Sequence, residues 1–202
     1  MNKLLFTCLM LVINHVVFAQ KTIQMSTYYA NQDYFLNTMM RFEDIASERI
    51  SFKSEELIGK YYQLNIKEFK KGKLVNTESL FDGSEADFFR LEADTLSLML
   101  MTKMDDRLKL QLHTKHFSSK KLNYELSKGN GSFALKDFMG GASKDDIVVG
   151  KPFYVMAIIT ATPHKNGSAS YCEVAQSGID PEKLDQKFNI PHYFLVEMVF
   201  KK

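Results

Sequence analysis

Along most of the chain, apolar side chains recur at every second position. From Lys60 onward, Tyr62, Leu64 and Ile66 alternate with Gln63, Asn65 and Lys67, the pattern of a strand with one buried face. Lys71-Gly72 predicts a turn into the stretch LVNTESLF. Leu96, Leu98 and Leu100 share one strand face, and Ser97, Met99, Met101 and Lys103 the other. After Asp105-Asp106, Leu108, Leu110 and Leu112 alternate with Arg107, Lys109, Gln111 and His113. These two runs predict a hairpin. A further strand is expected near Leu122, Tyr124 and Leu126, ended by KGNGS. The stretch PFYVMAIITA, 152–161, is apolar at both parities, which predicts a central strand covered on both faces. Asn166-Gly167 predicts a hairpin turn, and YFLVEMVF, 193–200, a last buried strand.

Helical spacing appears twice. Phe35, Met39, Phe42 and Ala46 predict an N-terminal helical segment near 31–46, with Asn31 as its N-cap. Asp180-Pro181-Glu182 supplies the cap, first-turn proline and acidic first turn of a short helix ending near Phe188. About eight to ten strands follow from the spacing of turn signals, with no internal repeat and no Pro/Ser-rich linker. The expected fold is mainly β: a single β-rich domain forming an antiparallel β-sandwich with one or two short helices. A closed barrel is the alternative, since it too protects sheet edges.

The stretch SEELIGKYYQLNIKEF, 54–69, resembles the opening of lipocalin-like domains, where a short helical turn precedes a glycine and an aromatic residue. Gly59 and Tyr61 occupy those positions, and the tryptophan usual there is absent from the chain. The resemblance implies a lipocalin-like β-barrel carrying a small apolar ligand.

The first residues break the period. Lys3 precedes an apolar run, Leu4 to Phe18, and Val17-Phe18-Ala19 places small side chains where a signal peptidase reads. Residues 1–19 are expected to be a signal peptide, with the mature domain at 20–202 exported to the periplasm or the extracellular space. The run is too short for a bilayer core of about 30 Å, so no transmembrane span is expected. Cys8 lies inside the apolar run rather than after it, which disfavours a lipid anchor. The Ala19-Gln20 junction resembles that of small exported proteins of Bacteroidetes.

Composition narrows the partners. Removing residues 1–19 from 202 leaves 183, enough for one sizeable core. The 26 Lys+Arg and 24 Asp+Glu nearly balance, so no nucleic-acid partner is expected. Cleavage also removes Cys8 and leaves Cys172 without a partner in the chain.

Candidate chemistry is sparse. Cys172 sits in ASYCEVAQ with no helix start or glycine elbow, so core packing is expected over a nucleophile based on His164 or His192. His113 and His116, three apart on a strand, point to opposite faces. The loop DGSEAD offers Asp82, Glu85 and Asp87 as a weak metal site without the EF-hand spacing. Asp145-Asp146 reads as a solvated turn. No phosphate loop or GxSxG elbow is present. No catalytic residue, cofactor or metal is therefore expected. The leading expectation is an exported, non-catalytic binding module for a protein or glycan. The alternatives are a carrier of a small apolar ligand and a hydrolase whose carboxylate pair sequence cannot match up.

Overall fold

The structure is a computed structural model that describes residues 22–29, 33–127, 131–138, 144–164, 167–171 and 178–202. The first strands are β1 (Ile23–Tyr29), β2 (Ile45–Lys53), β3 (Tyr61–Lys70) and β4 (Lys73–Asp82). They are followed by β5 (Thr95–Met104), β6 (Arg107–His113), β7 (Leu122–Glu125), β8 (Phe133–Asp137) and β9 (Lys144–Ile147). The last are β10 (Phe153–Thr160), β11 (Thr162–Pro163), β12 (Ala169–Ser170) and β13 (His192–Lys201). Two α-helices accompany them, α1 (Tyr34–Phe42) and α2 (Leu184–Phe188).

Two antiparallel sheets pack face to face. One runs β7-β6-β5-β2-β1-β9 and the other β4-β3-β13-β10-β8, while β11 and β12 form a separate ribbon. Sequence patterning explains the register. The β3–β4 turn places Lys71 at φ 50° and Gly72 at φ 68°, the left-handed pair of a two-residue hairpin. Asp105 accepts the Arg107 N–H at 3.1 Å and closes the β5–β6 turn. β13 pairs with β3 over ten residues, Lys201 opposite Tyr61 and His192 opposite Lys70.

Ile50, Phe52, Leu98, Leu100 and Leu110 of the first sheet meet Leu64, Ile66, Val196 and Phe200 of the second. Phe52 is set edge-on to Phe200 at 5.2 Å and to Phe153 at 6.1 Å, the geometry favoured by ring quadrupoles. A second layer covers the outer face of the five-stranded sheet. There Leu184, Phe188 and Ile190 pack on Ala157, Ile159 and Leu195, and Phe69 stacks on Tyr193 at 4.9 Å. β10 and β13 are therefore buried on both faces, as the two-parity apolar runs predict.

The sandwich is the observed fold, and the lipocalin-like barrel is not. Among the described residues, strands β7, β9, β4 and β8 are sheet edges, so no barrel closes. Gly59 does stand at φ 77° after a 3-10 turn, and Tyr61 does open β3. That strand is the third of the chain, however, and it lies inside an open sheet. The N-terminal helical segment is also shorter than the expected 31–46. It spans Tyr34–Phe42 and is capped by Asp33, whose carboxylate accepts the Leu36 N–H at 2.8 Å. Asp44, at φ 54°, turns the chain out of the helix, and Ala46 belongs to β2. Its helical spacing from Phe42 is coincidental with a period-two row, Ala46, Glu48, Ile50 and Phe52.

The C-terminal helix follows its sequence closely. Asp180 accepts the Glu182 N–H at 3.1 Å, a 3-10 turn leads into α2, and Asn189 ends it at φ 53°. Gly167 stands at φ 83° in the β11–β12 connection. Among the described residues no helix is long and apolar enough to cross a membrane. Residues 1–19, expected to be a signal peptide, Asn31, Asn166 and Cys172 lie outside the described residues.

Candidate functional site

At one end the two sheets part. The inward row of β2 begins as core with Phe52 and Ile50, each at most 1 % exposed. It continues as Glu48 and then Ala46, where a third and fourth large apolar side chain would be needed to fill the gap. The neighbouring row on β1 passes from Ile23 and Met25 to Thr27, and that on β5 from Leu98 and Leu100 to Thr102. Period-two alternation puts all of these on the inner face. The interior turns polar at this end, and a cleft of about 830 Å³ opens there.

Ala46 and Glu48 form its floor, Phe133 and Leu135 of β8 face them, and Met40 of α1 and Met104 of β5 stand at its mouth. Across the gap Thr27 Oγ1 donates to Asp137 Oδ2 at 2.8 Å. Glu48 accepts no hydrogen bond and makes no ion pair among the described residues. Its carboxyl is pushed up to about 7, chiefly by burial and then by the charge of Asp137, with Lys136 opposing. Carboxylates outnumber cations on the walls, Asp44, Glu48, Asp105 and Asp106 against Arg41 and Lys136. Such a cleft can take a small molecule with an apolar body, and its inner acid can exchange a proton near neutral pH.

A second polar group adjoins the cleft. Ser127, on its wall, brings its backbone N–H to 3.2 Å and its hydroxyl to 2.8 Å of His192 Nδ1. The backbone donor fixes Nδ1 as an acceptor, so Nε2 carries the proton and donates to Glu68 Oε1 at 2.9 Å. Lys70 Nζ lies 2.7 Å from that same oxygen. The order serine–histidine–carboxylate is that of a nucleophilic relay, but the placement is not. His192 is 1 % exposed and packed edge-on against Phe133 at 5.9 Å, with Phe194 at 4.9 Å. A leaving group in the cleft has no path to its proton, and general-acid transfer needs one. The group is a strut. It fastens the end of β7, an edge of one sheet, to β13 and β3 of the other.

α1 rims the cleft with an unusual surface. None of its residues is buried, and Tyr34, Phe35 and Phe42 are 84, 73 and 80 % exposed. Aromatic residues of this N-terminal stretch, Tyr28 included, thus face solvent rather than the core.

Apart from His192, the described residues singled out by sequence as candidate chemistry lie elsewhere. Asp82 caps the 3-10 turn at Gly83–Glu85, accepting from Ser84, and pairs with Lys201 at 2.7 Å. Asp87 takes the Tyr61 hydroxyl and Arg90, which hold its carboxyl below the ordinary range. Glu85 is exposed on the same turn. Among the described residues, these and all other His, Cys, Asp and Glu side chains form no group of three suited to a metal. His113 Nδ1 pairs with Ser118 Oγ at 2.8 Å, His116 is exposed, and His164 Nε2 pairs with Ser170 Oγ at 3.0 Å. Glu48, Asp137 and Thr27 carry no motif. The readable signal was the charge at 48 interrupting an apolar row, and it is visible only once 45–53 is recognised as a strand.

No protein-family model, curated protein or solved structure matches this chain.

Proposed function

We propose that the protein is an exported, non-catalytic binding module that holds a small ligand in the cleft between its two sheets. The observation that carries this reading is the cleft itself. Its volume of about 830 Å³ falls within the roughly 300–1,000 Å³ typical of small-molecule sites. Its floor is built from strands rather than loops, so its shape is fixed before a ligand arrives. Met40 of α1 adds an apolar side chain at the mouth of the cleft. The carrier role thus comes from an open-ended sandwich rather than a barrel lumen.

Two measurements test it. A neutral apolar reporter such as N-phenyl-1-naphthylamine should bind saturably at one site, and Ala46→Phe, which fills the floor, should abolish that binding with the fold retained. Linear, non-saturating fluorescence would sink the reading. Export is tested by the N-terminus of the secreted protein, expected at Gln20.

One observation favours hydrolysis as a second reading. Glu48, held near neutral pKa beside Asp137, has the poise of a general acid. Turnover of aryl glycosides between about pH 5 and 8 that vanished in Glu48→Gln would establish it.

A further inference from the structure

We infer that the ligand of the cleft is a cationic amphiphile, its positive head seated on Glu48 beside Asp137 and its apolar chain laid along Met40, Met104, Leu126 and Phe133. This rests on the binding reading above and adds the chemistry of what is bound.

The unspent carboxylate sets the sign. Glu48 projects from a row that continues directly into Ile50 and Phe52; among the described residues it makes no hydrogen bond or ion pair, and the charge of Lys136 offsets only part of its burial and the repulsion from Asp137. A half-buried acid in that state is unsatisfied, and its neighbour Asp137 repels its charge. A cation seated on Glu48 in the cleft relieves both effects, because opposite charges attract strongly where water is scarce. An anionic head would add a like charge to a wall already dominated by carboxylates. Arg41 and Lys136 do not reverse this balance, as Arg41 is exposed on α1 and the walls carry four acids against these two bases. A metal ion fits less well. Thr27 already occupies Asp137 Oδ2, and no third His, Cys, Asp or Glu ligand converges there among the described residues. An organic cation needs only the electrostatic seat.

The remaining lining sets the body of the ligand. Met40, Met104 and Phe133, on three different elements, and Leu126, in the loop after β7, provide apolar walls. Two of them are methionines, whose flexible thioethers adapt to chains of varied shape.

The test is isothermal titration calorimetry at pH 8 with three probes sharing a dodecyl chain, each below its micellar concentration: dodecyltrimethylammonium, dodecyl maltoside and dodecanoate. The cation should bind at one site at least tenfold more tightly than the maltoside, and dodecanoate should bind least. Glu48→Gln should bring the affinity for the cation down to that for the maltoside. This variant removes an unfavourable half-buried charge, so it should fold, and circular dichroism checks that it does. Equal affinity for the three probes, or a cation preference that survives in Glu48→Gln, overturns the inference while leaving the binding reading intact. No binding of any probe overturns both.

Discussion

Thr27 on β1 donates its hydroxyl to Asp137 on β8 over 2.8 Å, and the bond joins the two sheets rather than strands within one. It spans the sandwich where the apolar rows have given out, beside Glu48, an inward acid unpaired among the described residues. Replacing Thr27 by Val keeps the shape and removes the donor. The expected loss is about 1 kcal/mol, read from the urea midpoint, with faster amide exchange in β1 and β8. An unchanged midpoint and unchanged exchange would mean that the sheets are held apart or together by packing alone.

Glu48 makes the fold sensitive to pH in an unusual direction. Its folded pKa of about 7 lies above the ordinary 4.5, so the native state prefers the neutral acid. Stability should fall as pH rises from about 4.5 through 7, and the penalty is complete above 7. Asp137 and Lys136 of β8, Arg41 of α1, and Asp44, Asp105 and Asp106 at the mouth are the charged groups around it. Glu48→Gln should therefore be more stable than the parent at pH 8 and equal to it near pH 4.5. A variant less stable at pH 8 would show that the charge is satisfied.

His192 acts in the opposite sense. Burial lowers its pKa below 6.5, partly offset by Glu68, so the fold favours the neutral ring. Its contribution is whole above about pH 6.5 and is lost as pH falls below it. His192→Gln should lower stability at pH 7 by about 1–3 kcal/mol, because it disturbs the buried bonds to Glu68 and Ser127. It should also flatten the part of the acid limb due to this group. Equal acid sensitivity in parent and variant would assign that limb to other groups.

α1 is held by its cap and its ends, as it buries no side chain. Asp33→Ala removes the bond to the Leu36 N–H and should weaken the helix by about 1 kcal/mol. The effect should be local: faster exchange at Asn37 and beyond, with the global unfolding midpoint unmoved. A matching drop in global stability would show that the helix is coupled to the sheets.

Much of this architecture was legible in the chain. The Leu96–Leu112 hairpin, the β3–β4 turn at Lys71-Gly72, the two-faced burial of 152–161 and the cap at Asp180 all follow from local rules. Period-two alternation reports which side of a strand is dry, and turn residues report backbone angles, whatever lies across the sheet. β1 and β2 escaped because polar residues interrupt their inward rows. Of those residues, Glu48 lines the cleft and Thr27 bridges the sheets through Asp137. A site of this kind disrupts the very pattern by which its strand would be recognised.

Sequence by itself determined the fold class, the inner face of the regularly alternating strands such as β3, β5 and β6, and the lack of any recognisable catalytic motif. Only the tertiary structure decided that the sheets stay open as a sandwich instead of closing, since closure depends on which edge strands meet, and no local pattern encodes that. It alone placed Asp137 against Thr27 across 110 residues of chain, and Glu68 against His192 across 124. Pairings at such separation are fixed by how whole sheets stack. Their physical consequences, an acid in a cleft unpaired among the described residues and a buried neutral histidine, exist only after that stacking has excluded water from one group and left the other at its edge.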